Sequence, residues 1–274
     1  MTTTLEPWTR ATTVANTLAD RYGLEQWAKR NVALGLAARE DLYAQTASCT
    51  PEDKADLNRI VEQAEEAAKS RAGANLGTAL HRFTERIDQG EEVQVPAQWQ
   101  PDVRAYVEAL TTHQVEVIPR SNERVVVIPS IRVAGTIDKL VRIPGHPHPL
   151  VADTKTGQEV VKYGMGEIAI QLSLYAGATH VWRGTTDDIK RDRYGRYLLP
   201  DPTDDPDAYH LMPRVDRHEA LVIHLPVNQG RCQLHLVDIQ AGRKAAAMAL
   251  KVRDWRKRKD LSAPYTKEVD ALTA

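Results

Sequence analysis

Asp138, Asp153 and Lys155 lie close together in GTIDKLVRIPGHPHPLVADTKTG, the stretch from Gly135 to Gly157. Successive strand side chains alternate between faces, so Asp153 and Lys155, two apart, share one side of a strand. If the neighbouring apolar run pairs with it, Asp138 joins them. Two carboxylates so placed repel and raise one another's pKa. A divalent cation removes that conflict, and carboxylate oxygens are the ligands that Mg²⁺ and Mn²⁺ prefer. The ammonium is then left to orient and help deprotonate a water, or to offset charge on a phosphate. The plainer reading is a buried ion pair between Lys155 and one of the aspartates.

The elements that must hold these groups are legible around them. Val133 to Ile143 and Leu150 to Thr156 read as two short apolar strands, joined by a Pro/Gly/His-rich connection. His146 and His148 fall in that connection, which is expected to be exposed. A helix over about residues 75–89 carries Gly77, His81 and Glu85 at i, i+4 and i+8, on one face. A His and a Glu one turn apart can reach a cation from a single helix. Gly77 removes a side chain where backbone or a ligand would approach. A further helix from about Gly166 to Trp182 carries Gln171 and Tyr175 on one face, with Leu172, Leu174 and Ala176 expected on the packed side.

Taken in order, Gly77 and His81, Gly135 and Asp138, Asp153 and Lys155, and Gln171 and Tyr175 resemble the G-x-x-x-H, G-x-x-D, D/E-x-K and Q-x-x-x-Y pattern of the PD-(D/E)XK nucleases. The closest match within them is the RecB-like group, with the CRISPR-associated and phage recombination exonucleases. The resemblance implies an α/β fold: a restriction-endonuclease-like core with a mixed central sheet flanked by helices, plus an N-terminal helical layer. It implies one or two Mg²⁺ or Mn²⁺ ions on Asp138, Asp153, the Thr154 carbonyl and His81. Glu85 is an additional ligand or orients His81 from behind. Lys155 would activate water, and Gln171 and Tyr175 would position the DNA strand or Lys155. The activity implied is a metal-dependent DNA exonuclease in recombination or end processing. A structure-specific or restriction-like endonuclease on the same core, or a non-catalytic DNA-binding module, are the alternatives. The partners implied are DNA and, for phage relatives, a single-strand annealing protein.

Composition sets the limits. The 274 residues carry 36 Lys and Arg against 37 Asp and Glu, for a net charge of −1, so any DNA-binding surface must arise from local segregation of charge. With one Phe, aliphatic side chains and Ala must fill the core, helped by five Trp and nine Tyr. No apolar run reaches the ~20 residues that span a bilayer, and MTTTLEPWTR has no signal-peptide h-region. No membrane association is expected, and the expected compartment is the cytoplasm (the host cytoplasm if phage-encoded). Two cysteines, Cys49 and Cys232, cannot build the four-cysteine iron–sulfur site of some RecB-like nucleases. They are expected as free thiols. No G-x-x-x-x-G-K-[ST] motor motif is present.

One domain over 1–274 is expected, with a helical layer over 1–72 and a nuclease core over 73–260. Ala11 to Gln45 reads as helical with a turn near Gly23, and Thr50-Pro51-Glu52-Asp53 as the start of a helix running to about Arg71, with Gly73 as its interruption. Trp8 to Thr13 offers Arg10 and hydroxyls ahead of a helix, a natural phosphate position, although a plain cap is favoured. A helix follows from Gln98 to Leu110, then β-branched strands from Val115. Glu123, just ahead of RVVVIP, reads as a solvent-facing edge carboxylate. Residues 187–217, rich in Asp, Pro and Arg, read as a loop insertion outside the core. Two strands, 220–227 and 232–239, precede a basic helix over about 242–259. That helix carries Arg243, Lys244, Lys251, Arg253, Arg256, Lys257, Arg258 and Lys259, enough positive charge for phosphate contact.

Overall fold

The computed structural model describes residues 4–68 and 72–264. In chain order the elements are β1 (Glu6–Arg10), α1 (Ala11–Ala15), α2 (Tyr22–Ala37), α3 (Glu40–Ala47), α4 (Lys54–Ala67), α5 (Ala72–Asp88), α6 (Gln100–Thr112), β2 (Glu116–Val117), β3 (Arg124–Ile128), β4 (Val133–Ile137), β5 (Lys139–Arg142) and β6 (Leu150–Lys155). There follow α7 (Val160–Tyr163), α8 (Met165–Gly177), β7 (His180–Trp182), β8 (Lys190–Arg191), β9 (Tyr197–Leu199), β10 (Tyr209–Leu211), β11 (Glu219–His224), β12 (Gln233–Asp238) and α9 (Ile239–Trp255). The fold is mixed α/β. No described helix is long and apolar enough to cross a membrane.

Among the described residues the strands form two mixed sheets, ordered β10-β7-β3-β4-β1-β9-β8 and β12-β11-β6-β5-β2. Each is antiparallel except for one parallel pair: β1 with β4, and β11 with β6. The chain passes from one sheet to the other at a single residue, Asp138, between β4 and β5. The Glu123 amide donates to the Asp138 carbonyl at 3.0 Å, which carries the pairing across the break. The two sheets therefore read as one curled surface flanked by helices.

Alternation along β6 divides the core. Leu150 and Ala152 pack with Leu80 of α5 and Val103 and Tyr106 of α6, whereas Val151 faces Leu172 and Ala176 of α8 and Ala246 of α9. Helices α8 and α9 cross so closely that a Cβ on Gly242 would run into the Ala169 carbonyl. Helix α8 is buried on almost every side: Leu172, Leu174 and Ala176 pack in the core as expected, and Ser173 and Tyr175 are buried as well. It ends at Gly177, and His180–Trp182 pair as β7 with β3, because the β-branched run of β3 offers an open ladder there.

Three further expectations are corrected. The first 72 residues are not purely helical: β1 sits inside the larger sheet, held by Trp8, which is fully buried and donates from Nε1 to the Leu199 carbonyl at 3.1 Å. A single aromatic in EPWTR gives no period-2 pattern, so the strand was invisible. Residues 187–217 contribute β8, β9 and β10 to the sheet, and Tyr197, Leu199 and Tyr209 pack around Trp8. Helix α4 starts at Lys54, because the Asp53 carboxylate folds back to accept from the Thr50 amide and hydroxyl, both at 2.8 Å. Its expected end at Arg71 lies outside the described residues, and Gly73 lies within α5. Leu42, Ile60 and Ala64 form a small separate core for α2–α4, against which Cys49 packs. Cys232 packs into the α5–α6 core and is likewise a free thiol.

Candidate metal centre

The site forms where the strand changes sheets. Asp138 reaches His81 at the edge of α5 and the Thr154 amide, while its neighbour Lys139 points into the α5–α6 layer. There Lys139 pairs with Asp88 of α5 and donates to the Tyr106 hydroxyl of α6 at 2.9 Å, and that hydroxyl donates to Asp88 at 2.7 Å. The buried triad clamps α5 to the strand that carries Asp138. Helix α5 can then lay its Gly77–His81–Glu85 face over the end of β6. Gly77 touches the Thr156 hydroxyl so closely that any Cβ would collide with it.

His81 Nε2 lies 2.8 Å from Asp138 Oδ2, and the same oxygen accepts from the Thr154 amide at 2.8 Å. Glu123 completes a group: one ligand atom each from His81, Glu123 and Asp138 lie within 4.8 Å of one another. On the far side Lys155 Nζ forms an ion pair with Asp153 Oδ2 at 2.7 Å. Gln171 Nε2 lies 3.5 Å from Asp153 Oδ1 and donates to the Tyr175 hydroxyl at 3.0 Å. The Tyr175 ring lies against Gly135, where a side chain would displace it. Every residue of the four motifs is therefore drawn to one place.

Glu123 is the exception to the sequence reading. It does not face solvent at an edge; it stands beside His81 and Asp138, and only its backbone gives a reason. Its φ of 51° is left-handed, which turns the chain so that the carboxylate reaches inward before β3 begins. A single Glu next to a β-branched run carries no spacing signal for that. Glu85, one turn along α5 from His81, lies outside that group of three. It lines the same open cavity of about 760 Å³ as His81, Arg82 and Thr186, and accepts from Gln89 at 3.3 Å. Thr154 enters the site through its amide.

The electrostatics are those of a site short of positive charge. Burial, then the charge of Asp138, push Glu123 up to about 7. The same two causes, opposed by Lys155, push Asp153 up to about 6. Burial also opposes ionisation of Asp138, but the His81 hydrogen bond and charge outweigh it and hold the carboxyl below its usual range. Burial disfavours charge on His81 and Lys155 too, yet the surrounding carboxylates raise both. A divalent cation fits the imidazole of His81 and the carboxylates of Glu123 and Asp138, with the Asp153 carboxylate beside them.

A pH dependence follows for the metal-free protein. A carboxyl raised from about 4 to 6 or 7 in the fold favours the protonated folded state. Its contribution is complete below the unfolded pKa and is lost as pH rises through 6–7. His81, raised as well, acts in the same direction. In EDTA the protein is expected to be less stable at pH 8 than at pH 5.5 by about 2 kcal/mol, a few degrees of melting temperature. Mn²⁺ at pH 8 should recover the difference, and Glu123→Gln should flatten it. A metal-free melting temperature that climbs between pH 5.5 and pH 8 would contradict this coupling.

A scan against protein-family models and a search of curated proteins return no match to this chain.

Proposed function

We propose that the chain hydrolyses phosphodiester bonds of DNA with Mg²⁺ or Mn²⁺, on a restriction-endonuclease-like core of the RecB-like kind. The observation that carries this reading is the convergence on Asp138: one carboxylate touches His81 from α5 and the Thr154 amide from β6, with Asp153 and Lys155 beside it. An ordinary buried ion pair would require only the last two.

His81, Glu123, Asp138 and Asp153 would hold the cation, with the Thr154 carbonyl as a further oxygen donor. When bound, the cation would neutralise the crowded carboxylates and polarise the phosphate. Lys155 is a cation at neutral pH, so it orients the attacking water and offsets charge on the phosphate by donating hydrogen bonds. Gln171 holds Asp153 and Tyr175 in register, and Gly135 lets the Tyr175 ring lie flat against the strand. The open cavity beside α5 carries Arg82 on its wall, which suits a phosphate backbone.

An exonuclease acting in recombination or end processing is the form we favour, on the motif resemblance. End-labelled linear DNA should be degraded in Mg²⁺ and Mn²⁺ and left intact in EDTA, while covalently closed circular DNA should survive. Cutting of closed circles would assign an endonuclease. Binding without cleavage in either metal would assign a non-catalytic DNA-binding module.

A further inference from the structure

A second cavity, of about 630 Å³, opens away from the carboxylates, between the α1–α2 link and the end of α9. Its polar lining is Thr13, Asn16, Thr17, Arg21, Arg253 and Arg256, with Glu25 as the acid at its edge. Three guanidiniums converge here from two regions far apart in the chain. Among the described residues none of them has a carboxylate at ion-pair distance, whereas the neighbouring Lys257 and Arg258 are paired with Asp254 at 2.8 Å and Asp260 at 2.7 Å. Attraction of cations to the C-terminal end of α9 accounts for Arg253 and Arg256. It does not account for Arg21, which stands at the opposite pole of a different helix. The Tyr22 amide at the start of α2 donates to the Asp20 carboxylate at 3.0 Å, which leaves the guanidiniums as the positive groups of the notch.

The position is as informative as the charge. Helix α1 leaves β1 at Ala11, which packs against Gly135 beside Tyr175, and Thr13 is two residues further on. Helix α9 lies along α8, the helix that carries Gln171 and Tyr175. Ala11 and Tyr175 are buried in one core, through which α1 and α9 join the notch to the helix that bears Gln171 and Tyr175. Planar guanidiniums and hydroxyls in an open, solvated notch match phosphate oxygens of a polymer better than a small apolar ligand.

We infer that the Arg21–Arg253–Arg256 notch binds backbone phosphate of the nucleic acid on which the carboxylate site acts. This rests on the nucleic-acid reading above and adds a second, metal-independent anchor to it. The test is binding of a fluorescent oligonucleotide in EDTA, followed by anisotropy over a salt series, for wild type and Arg21→Gln/Arg253→Gln/Arg256→Gln. The slope of log K against log salt should fall by about two to three units, near one per lost phosphate contact, with unchanged melting temperature. Lys257→Gln/Arg258→Gln, which removes paired cations, should leave the slope as it is. An unchanged slope in the triple variant overturns the assignment, as does wild-type binding with no salt dependence. If inorganic pyrophosphate displaces oligonucleotides of every length equally well, the notch takes free phosphate and the strand assignment fails. Hydrolysis is scored separately: a salt slope carried by the three arginines in a protein that never cleaves DNA keeps this anchor and removes the catalytic reading.

Discussion

Lys155→Ala is expected to lower DNA cleavage by a factor on the order of 10²–10⁴, the range of a lost acid–base or charge-donating group, with little loss of stability. The side chain is 26% exposed, and its one close ion-pair partner among the described residues is Asp153. With the ammonium gone, the cation would still hold Asp153, and in its absence the carboxyl can take up a proton, which its raised pKa already favours. Neither state leaves an uncompensated buried charge. DNA binding in Ca²⁺ should survive, since the carboxylates are intact and Ca²⁺ accepts the same oxygens. Cleavage per folded molecule and the melting temperature, measured on the same preparation, separate the two roles. A variant that melts far lower yet cleaves at the wild-type rate would show that Lys155 is a structural ion-pair partner and would remove the mechanism proposed for it.

Lys139→Ala is expected to do the reverse. Lys139 and Asp88 are 1% and 2% exposed, and with Tyr106 they bind α5, α6 and β5 into one unit. Removing one partner leaves a buried charge unpaired, at a cost of about 3–5 kcal/mol. For a chain of this size that is on the order of 10 °C in melting temperature. Asp88→Leu/Lys139→Met, which removes both charges and refills the space, should be much milder. Denaturant midpoints for the two variants decide the matter. A single variant as stable as wild type would mean that water or a shifted side chain satisfies Asp88. Because the triad also sets where α5 lies, Lys139→Ala should weaken Mn²⁺ binding through His81 without touching a ligand.

The two lysines show how far side-chain type and spacing can carry an argument. Both follow an aspartate closely in strand-forming sequence, D-K at 138–139 and D-T-K at 153–155. The odd spacing throws Asp138 and Lys139 to opposite faces, and the even spacing keeps Asp153 and Lys155 together. That much is local and was legible. What each lysine meets on its face depends on Asp88 and Asp153, and Asp88 lies in a helix with no pattern linking it to Lys139. The motif residues were found because each sits at a fixed offset within one element. Glu123 was misplaced because its role depends on one left-handed residue ahead of β3 and on a strand that breaks at Asp138.

The sequence by itself therefore determined the strands of the central stretch, the helix face bearing Gly77 and His81, and the aspartate–lysine pair. All of these follow from periodicities of two and 3.6 residues that the backbone imposes over a few turns. Only the tertiary structure decided that β1 and residues 187–217 belong to the sheet, that Glu123 joins His81 and Asp138, and that Arg21 lines one cavity with Arg253 and Arg256. Those juxtapositions join residues tens to hundreds of positions apart. They are set by which apolar faces cover one another, and burial of Trp8 or Tyr106 is non-directional and leaves no local trace in the chain.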